Sequence, residues 1–292
     1  MDSKHNKTTE VLIQRRPLVR VVDLVKAFDG KVILDGVCLD VYAGETMVVM
    51  GGSGCGKSTV LRHMIGSIIP DAGRVEFFGK DLADLDDEQL DGVRKRFGIL
   101  FQSGALFNSM TVGENVALPL QEHTELDART IDIMVKIKLE LVGLRHAVDL
   151  MPAEISGGMK KRAGLARAIA LDPEILFYDE PSAGLDPVTS AEIDRLMMDL
   201  SNKLGVASVV VTHEMDSAFR IADRMAMLDC GHVLKVGKRE EFEAIRDGEA
   251  TGDETTDIIR QFLRGDSTGP ITRRRLSTGY EEDILAAATD EW

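Results

Sequence analysis

The sequence predicts an α/β fold in which a mostly parallel β-sheet carries helices on both faces. Candidate buried strands at residues 46–50, 175–178, 208–211 and 224–228 alternate with segments whose apolar residues recur at helical spacing. The first of these strands runs directly into a glycine-rich loop, and a helical pattern follows the loop. Strands that alternate with helices are typical of a parallel sheet that is buried on both faces.

The N-terminal part predicts an antiparallel β edge. Residues 1–17 are mostly polar, and we expect them to be mobile. Between residues 18 and 41, short apolar runs alternate with the turn signals Asp29-Gly30 and Asp35-Gly36. This pattern is typical of strands that are joined by hairpins.

The remaining segments suggest one main domain and a C-terminal extension. We expect residues 103 to about 172 to be mostly helical, and residues 249–256 to form an acidic, polar linker before a short apolar segment. The main domain would then cover residues 18–248, and the extension residues 249–292. No internal repeat of ~20–50 residues is visible, so we expect a single unit and not a tandem pair.

Composition and charge limit the classes of function. The chain has 292 residues, of which 44% are hydrophobic and 29% charged, and its net charge is −14. Such a composition is typical of a soluble globular protein, and this charge disfavours a surface that binds nucleic acid. Most of the excess negative charge lies after residue 239, so the C-terminal part differs from the rest of the chain.

Cysteine usage and the lack of long apolar runs indicate a cytoplasmic location. The cysteines Cys38, Cys55 and Cys230 form no CxxC pair, which favours a reducing compartment. The first residues lack the apolar core of a signal peptide, and no run approaches the ~20 apolar residues that span a bilayer. If the protein works at a membrane, another chain has to provide the spanning segments.

The glycine-rich loop matches the phosphate-binding pattern GxxxxGK[ST]. Its glycines let successive backbone N–H groups point at phosphate oxygens, and the following helix adds its positive N-terminal end. We expect Lys57 to neutralise the β- and γ-phosphates of ATP and Ser58 to bind Mg²⁺. The alternative is a chance glycine-rich turn, which the flanking strand and helix disfavour. The residues expected to bind nucleotide here are Gly51, Gly52, Ser53, Gly54, Cys55, Gly56, Lys57, Ser58 and Thr59.

A second apolar strand, residues 175–178, ends in two carboxylates. A strand of this kind holds its last side chains at the carboxyl end of the sheet, where ligands bind in open α/β folds. We expect Asp179 to reach Mg²⁺ and Glu180 to orient and deprotonate the attacking water. The alternative is a strand that ends in a solvated acidic turn, which is less favoured in a chain that also has a phosphate loop.

Ile155-Ser156-Gly157-Gly158-Met159 resembles the LSGGQ signature of the ABC (ATP-binding cassette) family. Ser156 and the two glycines open a helix, and a helix N-terminus attracts phosphate. In the family, the signature of one subunit closes on the ATP that the other subunit holds. The alternative is a serine cap on an ordinary helix, which the position 23 residues before Asp179 argues against.

Residues 18 to about 240 resemble an ABC nucleotide-binding domain, a P-loop NTPase fold with a helical signature subdomain. The resemblance implies that Gln102 senses Mg²⁺ and couples to a membrane subunit, and that Asp186 lies at the dimer interface. It also implies that His213 contacts the γ-phosphate and that Phe28 stacks on adenine. The alternatives are a surface glutamine at 102, a capping histidine at 213 and a core phenylalanine at 28.

Two departures from the family pattern bear on this interpretation. The signature has Met159 where the family usually has glutamine, and it begins with Ile155, which leaves the role of the fifth position open. Cys55 lies inside the phosphate loop, where it could be sensitive to oxidation. The alternative is a small residue that matters only for its backbone.

Residues 101–120 and 155–187, together with the tail segments FLRG and GPI, resemble one branch of the family, the ATPases of the MCE-type lipid transporters. These include the systems that maintain lipid asymmetry (Mla) in double-membrane bacteria. An ATPase core has no chemical need for the tail segments, so they add to the resemblance.

This branch implies a definite set of partners. Two copies of the chain would form an ATP-sandwich dimer beneath two copies of an integral-membrane permease, on the cytoplasmic side of the bacterial inner membrane. An MCE-domain lipid-binding protein would lie on the far side, some systems add a small STAS-domain regulator, and no nucleic acid is involved. The cargo would be phospholipid or another hydrophobic compound, with ATP and Mg²⁺ as cofactors.

Two other functions stay open. One is an ABC ATPase that moves a different small solute, because the core motifs do not distinguish cargoes. The other is a soluble ABC ATPase that acts on DNA or ribosomes. Such proteins usually carry two cassettes or a long coiled-coil insertion, and this chain has neither.

The tail has two interpretations. Arg273, Arg274 and Arg275 either contact anionic lipid headgroups or form a solvated basic turn. Residues 280–288 could form a short helix. We expect the extension to pack on the partner subunit and to strengthen the dimer.

Overall fold

The computed structural model describes residues 16–274 and contains two β-sheets flanked by helices. Most of the 1–17 segment, Arg275 and the helix expected at residues 280–288 lie outside the described residues. In chain order the elements are β1 Val19–Phe28, β2 Lys31–Val41, β3 Thr46–Gly51, α1 Lys57–Met64, β4 Ala72–Phe77, β5 Lys80–Asp81, α2 Asp87–Arg94, β6 Phe97–Leu100, α3 Val112–His123, α4 Ala128–Leu141, α5 Gly157–Ala168, β7 Ile175–Asp179, α6 Pro187–Leu204, β8 Ala207–Thr212, α7 Met215–Ile221, β9 Arg224–Asp229, β10 His232–Lys238, α8 Arg239–Asp247 and α9 Glu254–Arg264.

The main sheet has six strands in the order β10-β9-β3-β8-β7-β6, and only the β10–β9 pair is antiparallel. Along β3, Met47 and Val49 belong to one hydrophobic cluster, whereas Val48 and Met50 belong to the other. Successive side chains of a strand point to opposite faces, so the two clusters cover the two faces of this sheet. The mostly parallel α/β fold that the sequence predicts is therefore confirmed.

The second sheet is antiparallel, with the order β2-β1-β4-β5, and one expectation for it was wrong. Asp29-Gly30 forms the turn between β1 and β2, as the sequence predicts. Asp35-Gly36, however, lies inside β2. Gly36 has φ +67°, and the pairing with β1 is irregular here, since Leu24 pairs with Val37 but Lys26 pairs with Leu34. The dipeptide therefore makes a bulge in a continuous strand and not a turn.

Helices α3, α4 and α5 pack together beyond the β6 edge of the main sheet. Each begins at a side-chain cap, from Thr111, Asp127 and Ser156 respectively. Residues 101–110 form a loop, although we expected the helical region to begin at about residue 103. None of the helices among residues 16–274 is both long and apolar enough to span a membrane.

Helix α9 packs on the core of its own chain, and the expectation that the extension also packs on a partner stays a prediction. Ile259 and Leu263 are 1% and 5% exposed and belong to the main core cluster. Arg274 pairs with Asp229 and Glu254, so it is held against the domain and does not lie in an isolated basic turn. At least residues 254–274 are therefore integral to the domain.

Gly98 in β6 provides a test of the contact between the sheet and α5. A Cβ atom at this position would lie 2.0 Å from the Ala168 carbonyl oxygen. We expect Gly98→Ala to force these elements apart and to lower the free energy of unfolding by roughly 1–3 kcal/mol, as overpacked cores do. Urea denaturation followed by circular dichroism measures this change.

Gly92 in α2 is the matched control, because a Cβ there meets no atom within 4 Å. Gly92→Ala should raise stability by roughly 0.5–1 kcal/mol, since alanine is the better helix former. Equal effects of the two substitutions would contradict the close packing of β6 on α5.

Candidate nucleotide-binding site

The loop after β3 is curled in a way that requires glycine at both ends. A Cβ atom on Gly51 would lie 2.2 Å from the Leu228 carbonyl oxygen. Gly56 has φ +107°, and a Cβ atom there would lie 2.5 Å from the Leu34 side chain. Larger residues at either position would displace the loop from the sheet edge.

Lys57, the first residue of α1, is 7% exposed. Its Nζ donates hydrogen bonds to the carbonyl oxygens of Gly51 and Gly52, at 2.8 and 2.9 Å. The ammonium is thus held inside the loop by neutral acceptors, and phosphate oxygens can replace these carbonyls as its partners. The N-terminal end of α1 adds a positive dipole at the same place.

Ser58 and Asp179 connect the phosphate loop to the end of β7. The Ser58 hydroxyl donates to Asp179 Oδ1 at 3.2 Å. Burial raises the pKa of Asp179, the Ser58 hydrogen bond lowers it, and the nearby Glu180 charge raises it. A cation at this position would therefore stabilise the ionised carboxylate.

This pair of oxygens fits Mg²⁺. The ion favours hydroxyl, carboxylate and phosphate oxygens, and it is usually bound by one or two protein ligands together with substrate phosphates and water. Within residues 16–274, no group of three or more His, Cys, Asp or Glu side chains is placed to hold a metal ion. Ser58 and Asp179 thus suit an ion that arrives with a nucleotide, and not a metal caged by protein alone.

Glu180 and His213 form the second pair at this edge. Nδ1 of His213 lies 2.9 Å from Oε1 of Glu180, and the His213 backbone N–H donates to Oε2 at 3.4 Å. Glu180 adopts φ +50°, a strained conformation for a non-glycine residue, and its N–H donates to the Val211 carbonyl oxygen at 2.9 Å. Its side chain is 13% exposed, and that of His213 is 54% exposed. An oriented carboxylate beside an open imidazole can accept a proton from water.

The signature residues lie at the start of α5, beside the start of α6. Ser156 Oγ accepts the Met159 N–H at 3.3 Å. A Cβ atom on Gly158 would lie 2.7 Å from the Thr189 methyl, and one on Gly157 would lie 3.8 Å from Leu185. The signature therefore packs on the loop and helix that follow β7.

Asp186 caps the helix against which the signature packs. One carboxylate oxygen accepts the N–H groups of Val188 and Thr189 at 3.0 and 3.1 Å, and the other accepts the Thr189 hydroxyl. These hydrogen bonds, the hydroxyl first, lower the pKa of Asp186. The cap fixes the position at which the loop after Glu180 ends.

Gln102 and Phe28 lie apart from this group in their contacts. Gln102 is exposed two residues after β6, and its side chain makes no hydrogen bond within the described chain. Phe28 ends β1, is 44% exposed and has the Lys26 ammonium 5.4 Å from its ring centre. The structure thus brings Lys57 and Ser58 to the edge that holds the two acidic residues and His213. Within residues 16–274, no hydrogen bond or ion pair joins Gln102, Phe28 or the signature to those residues.

Sequence reasoning missed three polar residues that hold the loops of the site, of which two are buried and one is partly buried. Asn115 accepts the Phe107 N–H and donates to the carbonyl oxygens of Phe107, Met110 and Thr111. This set of hydrogen bonds pins the loop that follows Gln102. The sequence signal was a lone asparagine in the apolar run of α3, which spacing alone does not distinguish from a surface residue.

The other two missed residues are on α5. Arg167 donates to the carbonyl oxygens of Gly104 and Ala105, at 3.0 and 2.8 Å, in the loop after Gln102. Lys161 donates to the carbonyl oxygens of Pro181 and Ala183, at 2.5 and 2.7 Å, in the loop after Glu180. One helix therefore contacts both loops.

Comparison with known proteins identifies the family. The family model described as "ABC transporter" matches residues 34–183. The ATP-binding protein MlaF of the intermembrane phospholipid transport system of Escherichia coli K12 is 41% identical over 268 residues, 92% of this chain and 96% of the relative. The probable ribonucleotide transport ATP-binding protein mkl of Mycobacterium leprae is 42% identical over 273 residues, 92% of this chain and 76% of the relative.

A solved structure agrees with these relatives. The dimeric ATP-binding cassette MJ0796, in a post-hydrolysis state with ADP and Pi, superposes with a TM-score of 0.70 at 30% sequence identity. The similarity covers 76% of this chain and 98% of that structure.

Cys55 provides a test of how the phosphate loop is packed. Its side chain is buried, and burial raises the pKa of the thiol, with a smaller opposing effect of Lys57. Because the thiolate is the reactive form, we expect N-ethylmaleimide to modify the exposed Cys38 and Cys230 before Cys55 at pH 7.5. Mass spectrometry after timed quenching gives the order, and denaturant should abolish it. If Cys55 reacted first, its thiol would not be buried and neutral. This result would support the interpretation that Cys55 is sensitive to oxidation.

Proposed function

Because this chain belongs to the ABC transporter family, we propose that it powers a transporter that moves phospholipid between membranes. The chain is an ABC ATPase. The phospholipid cargo is supported by the printed function of MlaF, which is 41% identical over 92% of this chain. The similarity to mkl supports a second candidate, the transport of another solute such as a ribonucleotide.

Two pairs of side chains meet at one edge of the sheet, and this observation supports the ATPase chemistry. Ser58 contacts Asp179, and Glu180 contacts His213, on neighbouring residues of the loop after β7. One pair would hold a metal–nucleotide complex while the other handles the attacking water. Lys57, which is held inside the phosphate loop, would neutralise the β- and γ-phosphates.

Hydrolysis would proceed by in-line attack of water on the γ-phosphate. A Glu180 oxygen accepts the proton of the water, and the His213 imidazole contacts the γ-phosphate oxygens. Ser58 and Asp179 would hold Mg²⁺, which neutralises phosphate charge when it is bound. The residues contribute positioning and charge stabilisation, and no covalent intermediate is needed.

Two copies of the chain would complete the site. Gly158 lies against the start of α6, and no hydrogen bond within residues 16–274 joins the signature to the phosphate loop of its own chain. We propose that Ser156 and Gly158 close on the ATP of a second copy, with Asp186 and its loop at the interface. The dimeric state of the similar cassette MJ0796 supports this arrangement.

The permease would dock in the groove beside the loop after Gln102. Phe101 and Phe107 are 42% and 51% exposed. They line a cavity of about 700 Å³ together with Pro119 and Arg167. Exposed aromatic residues on a pinned loop are typical of a docking surface. Through this loop, closure of the ATPase dimer would move the permease.

The finer assignments follow the MlaF-type branch. We propose that the ATPase lies on the cytoplasmic side of a bacterial inner membrane and that an MCE-domain lipid-binding protein completes the transporter. A small STAS-domain regulator is a further proposed partner. The adenine would stack on Phe28, and Gln102 would report the state of the nucleotide to the permease.

Glu180→Gln tests the proposed base. We expect the variant to bind ATP with unchanged affinity but to hydrolyse it about 100-fold or more slowly, as loss of a general base does. Phosphate release and equilibrium binding of a fluorescent ATP analogue measure the two properties. Glu174→Gln is the matched control, because Glu174 precedes the same strand at its other end and pairs with exposed Arg96. Near-normal turnover by Glu180→Gln would remove Glu180 from the catalytic role.

Phe107→Asp tests the docking groove. A carboxylate on this exposed ring position should abolish association with the permease, because burying an unpaired charge in an interface is costly. ATP hydrolysis by the isolated chain should stay within about twofold of the unaltered protein, as for surface substitutions generally. Ile69→Asp, at another exposed apolar residue with no proposed role, is the control and should keep the permease. Retention of the permease by Phe107→Asp would argue against this groove.

The partners and cargo can be identified with the Glu180→Gln chain, tagged and purified with ATP from detergent-solubilised membranes of its host. We expect mass spectrometry to find a multi-span permease, an MCE-domain protein and bound phospholipid. A permease with a solute-binding protein would retain the ABC ATPase and overturn the lipid cargo. Ribosomal or DNA-associated partners without a membrane protein would overturn the transporter itself.

A further inference from the structure

Lys161 is a buried cation whose hydrogen-bond partners are all backbone carbonyls of one loop. The residue is 5% exposed. Its Nζ lies 2.5 Å from the Pro181 oxygen, 2.7 Å from the Ala183 oxygen and 3.4 Å from the Glu180 oxygen. An ammonium has three N–H donors, so the three carbonyl oxygens of this loop can accept all of them.

No carboxylate in the described part of the chain forms an ion pair with Lys161. Burial lowers the pKa of Lys161, and the more distant charges of Glu214 and Glu180 raise it. Burying an ammonium without a paired charge is costly, and an apolar side chain would pack here without that cost. The position therefore suits a residue that holds the loop by directed hydrogen bonds.

The loop that Lys161 holds, residues 180–186, is also anchored at its two ends, where Glu180 donates its N–H to the Val211 carbonyl oxygen and Asp186 caps α6. Its middle is held less firmly. Its internal backbone bonds, from Ala183 to Glu180 and from Leu185 to Ser182, are both 3.2 Å long. The Ser182 hydroxyl is buried and finds no hydrogen-bond partner within residues 16–274. A buried hydroxyl without a partner costs stability, so the contacts of Lys161 matter more for holding this loop.

A neighbouring face of α5, one turn after Lys161, is also closely packed. A Cβ atom on Gly164 would lie 2.9 Å from the Gly104 oxygen, and Arg167 donates to the same residue. Helix α5 therefore lies in close contact with the loop after Gln102. Through Lys161, it also donates hydrogen bonds to the loop after Glu180. A shift of α5 would reach both loops.

We propose that Lys161 is a positioning residue that couples the signature end of α5 to Glu180 of the same chain. When the signature closes on the ATP of a second copy, the displacement of α5 is passed through the Pro181 and Ala183 carbonyls, and Glu180 is set for catalysis. Each site then depends on ATP in the other. The coupling between the two sites rests on the proposed dimer, whereas the hydrogen bonds from Lys161 to the loop are a property of the single chain.

Amide hydrogen exchange in the full-length chain without nucleotide tests whether Lys161 holds the loop. We expect Lys161→Met to speed exchange of the amides at residues 182–186 about tenfold or more, the effect of losing a hydrogen bond to a charged group. Lys138→Met is the matched control, since Lys138, on α4, is also 5% exposed but pairs with the carboxylate of Asp172. Unchanged exchange at 182–186, or the same increase in both variants, would overturn the proposal.

Steady-state ATP hydrolysis tests the coupling. Lys161→Met should lower kcat about 100-fold, as small misplacements of catalytic groups do, and reduce the Hill coefficient for ATP to 1. Nucleotide affinity should not change, and Lys161→Arg should restore part of the rate and the cooperativity because it keeps the donors.

A Hill coefficient and rate like those of the unaltered chain in Lys161→Met would refute the coupling. So would an equal loss in Lys138→Met, which would indicate only a structural role. Absence of hydrolysis by the unaltered chain would instead overturn the proposed function, and the exchange comparison would still decide whether Lys161 holds the loop.

Discussion

The candidate site depends on the register of the parallel strands in the main sheet. Met50 of β3 pairs with Thr212 of β8, and Asp179 of β7 pairs with Val211 of the same strand. These pairings place the phosphate loop, the two carboxylates and His213 at one edge. A slip of one residue would turn Asp179 to the opposite face of the sheet and away from Ser58. The strands β3, β7 and β8 are buried along nearly their whole length, so a slip would expose none of their core but would misplace every strand end. Burial alone therefore does not specify this register.

The sequence predicts features whose cause is local. A buried strand that enters GxxxxGK[ST] has one physical outcome, since the glycines and the lysine all lie within the loop itself. The Asp-Gly pairs show where this reasoning fails. Asp29-Gly30 and Asp35-Gly36 are the same dipeptide, yet only the first is a turn. The second stays in a strand because Asp35 donates its N–H to the Gly231 carbonyl oxygen, almost 200 residues further along the chain. The sequence does not reveal this partner.

Buried polar residues on helices are the second class that sequence patterns miss. A lysine, asparagine or arginine in a helix is usually solvated, so the pattern around Lys161, Asn115 and Arg167 predicts an exposed face. Their acceptors are backbone carbonyls, which carry no side-chain signal in the sequence. The apolar spacing of α9 was visible, but its packing on its own core was not, because spacing identifies a face and not the surface that covers it.

A directed contact has a mechanical consequence that apolar packing lacks. Apolar contacts have no preferred direction, whereas hydrogen bonds from one ammonium to two carbonyls of the same loop weaken steeply when either distance or angle changes. The close approach of Gly164 to Gly104 removes the room that α5 would need to move independently of the loop after Gln102. Movement at the signature therefore has to be shared by the loop that carries Glu180 and the loop that faces the proposed permease groove. In the proposed dimer, α5 would link closure on nucleotide to the loop that faces the proposed permease groove.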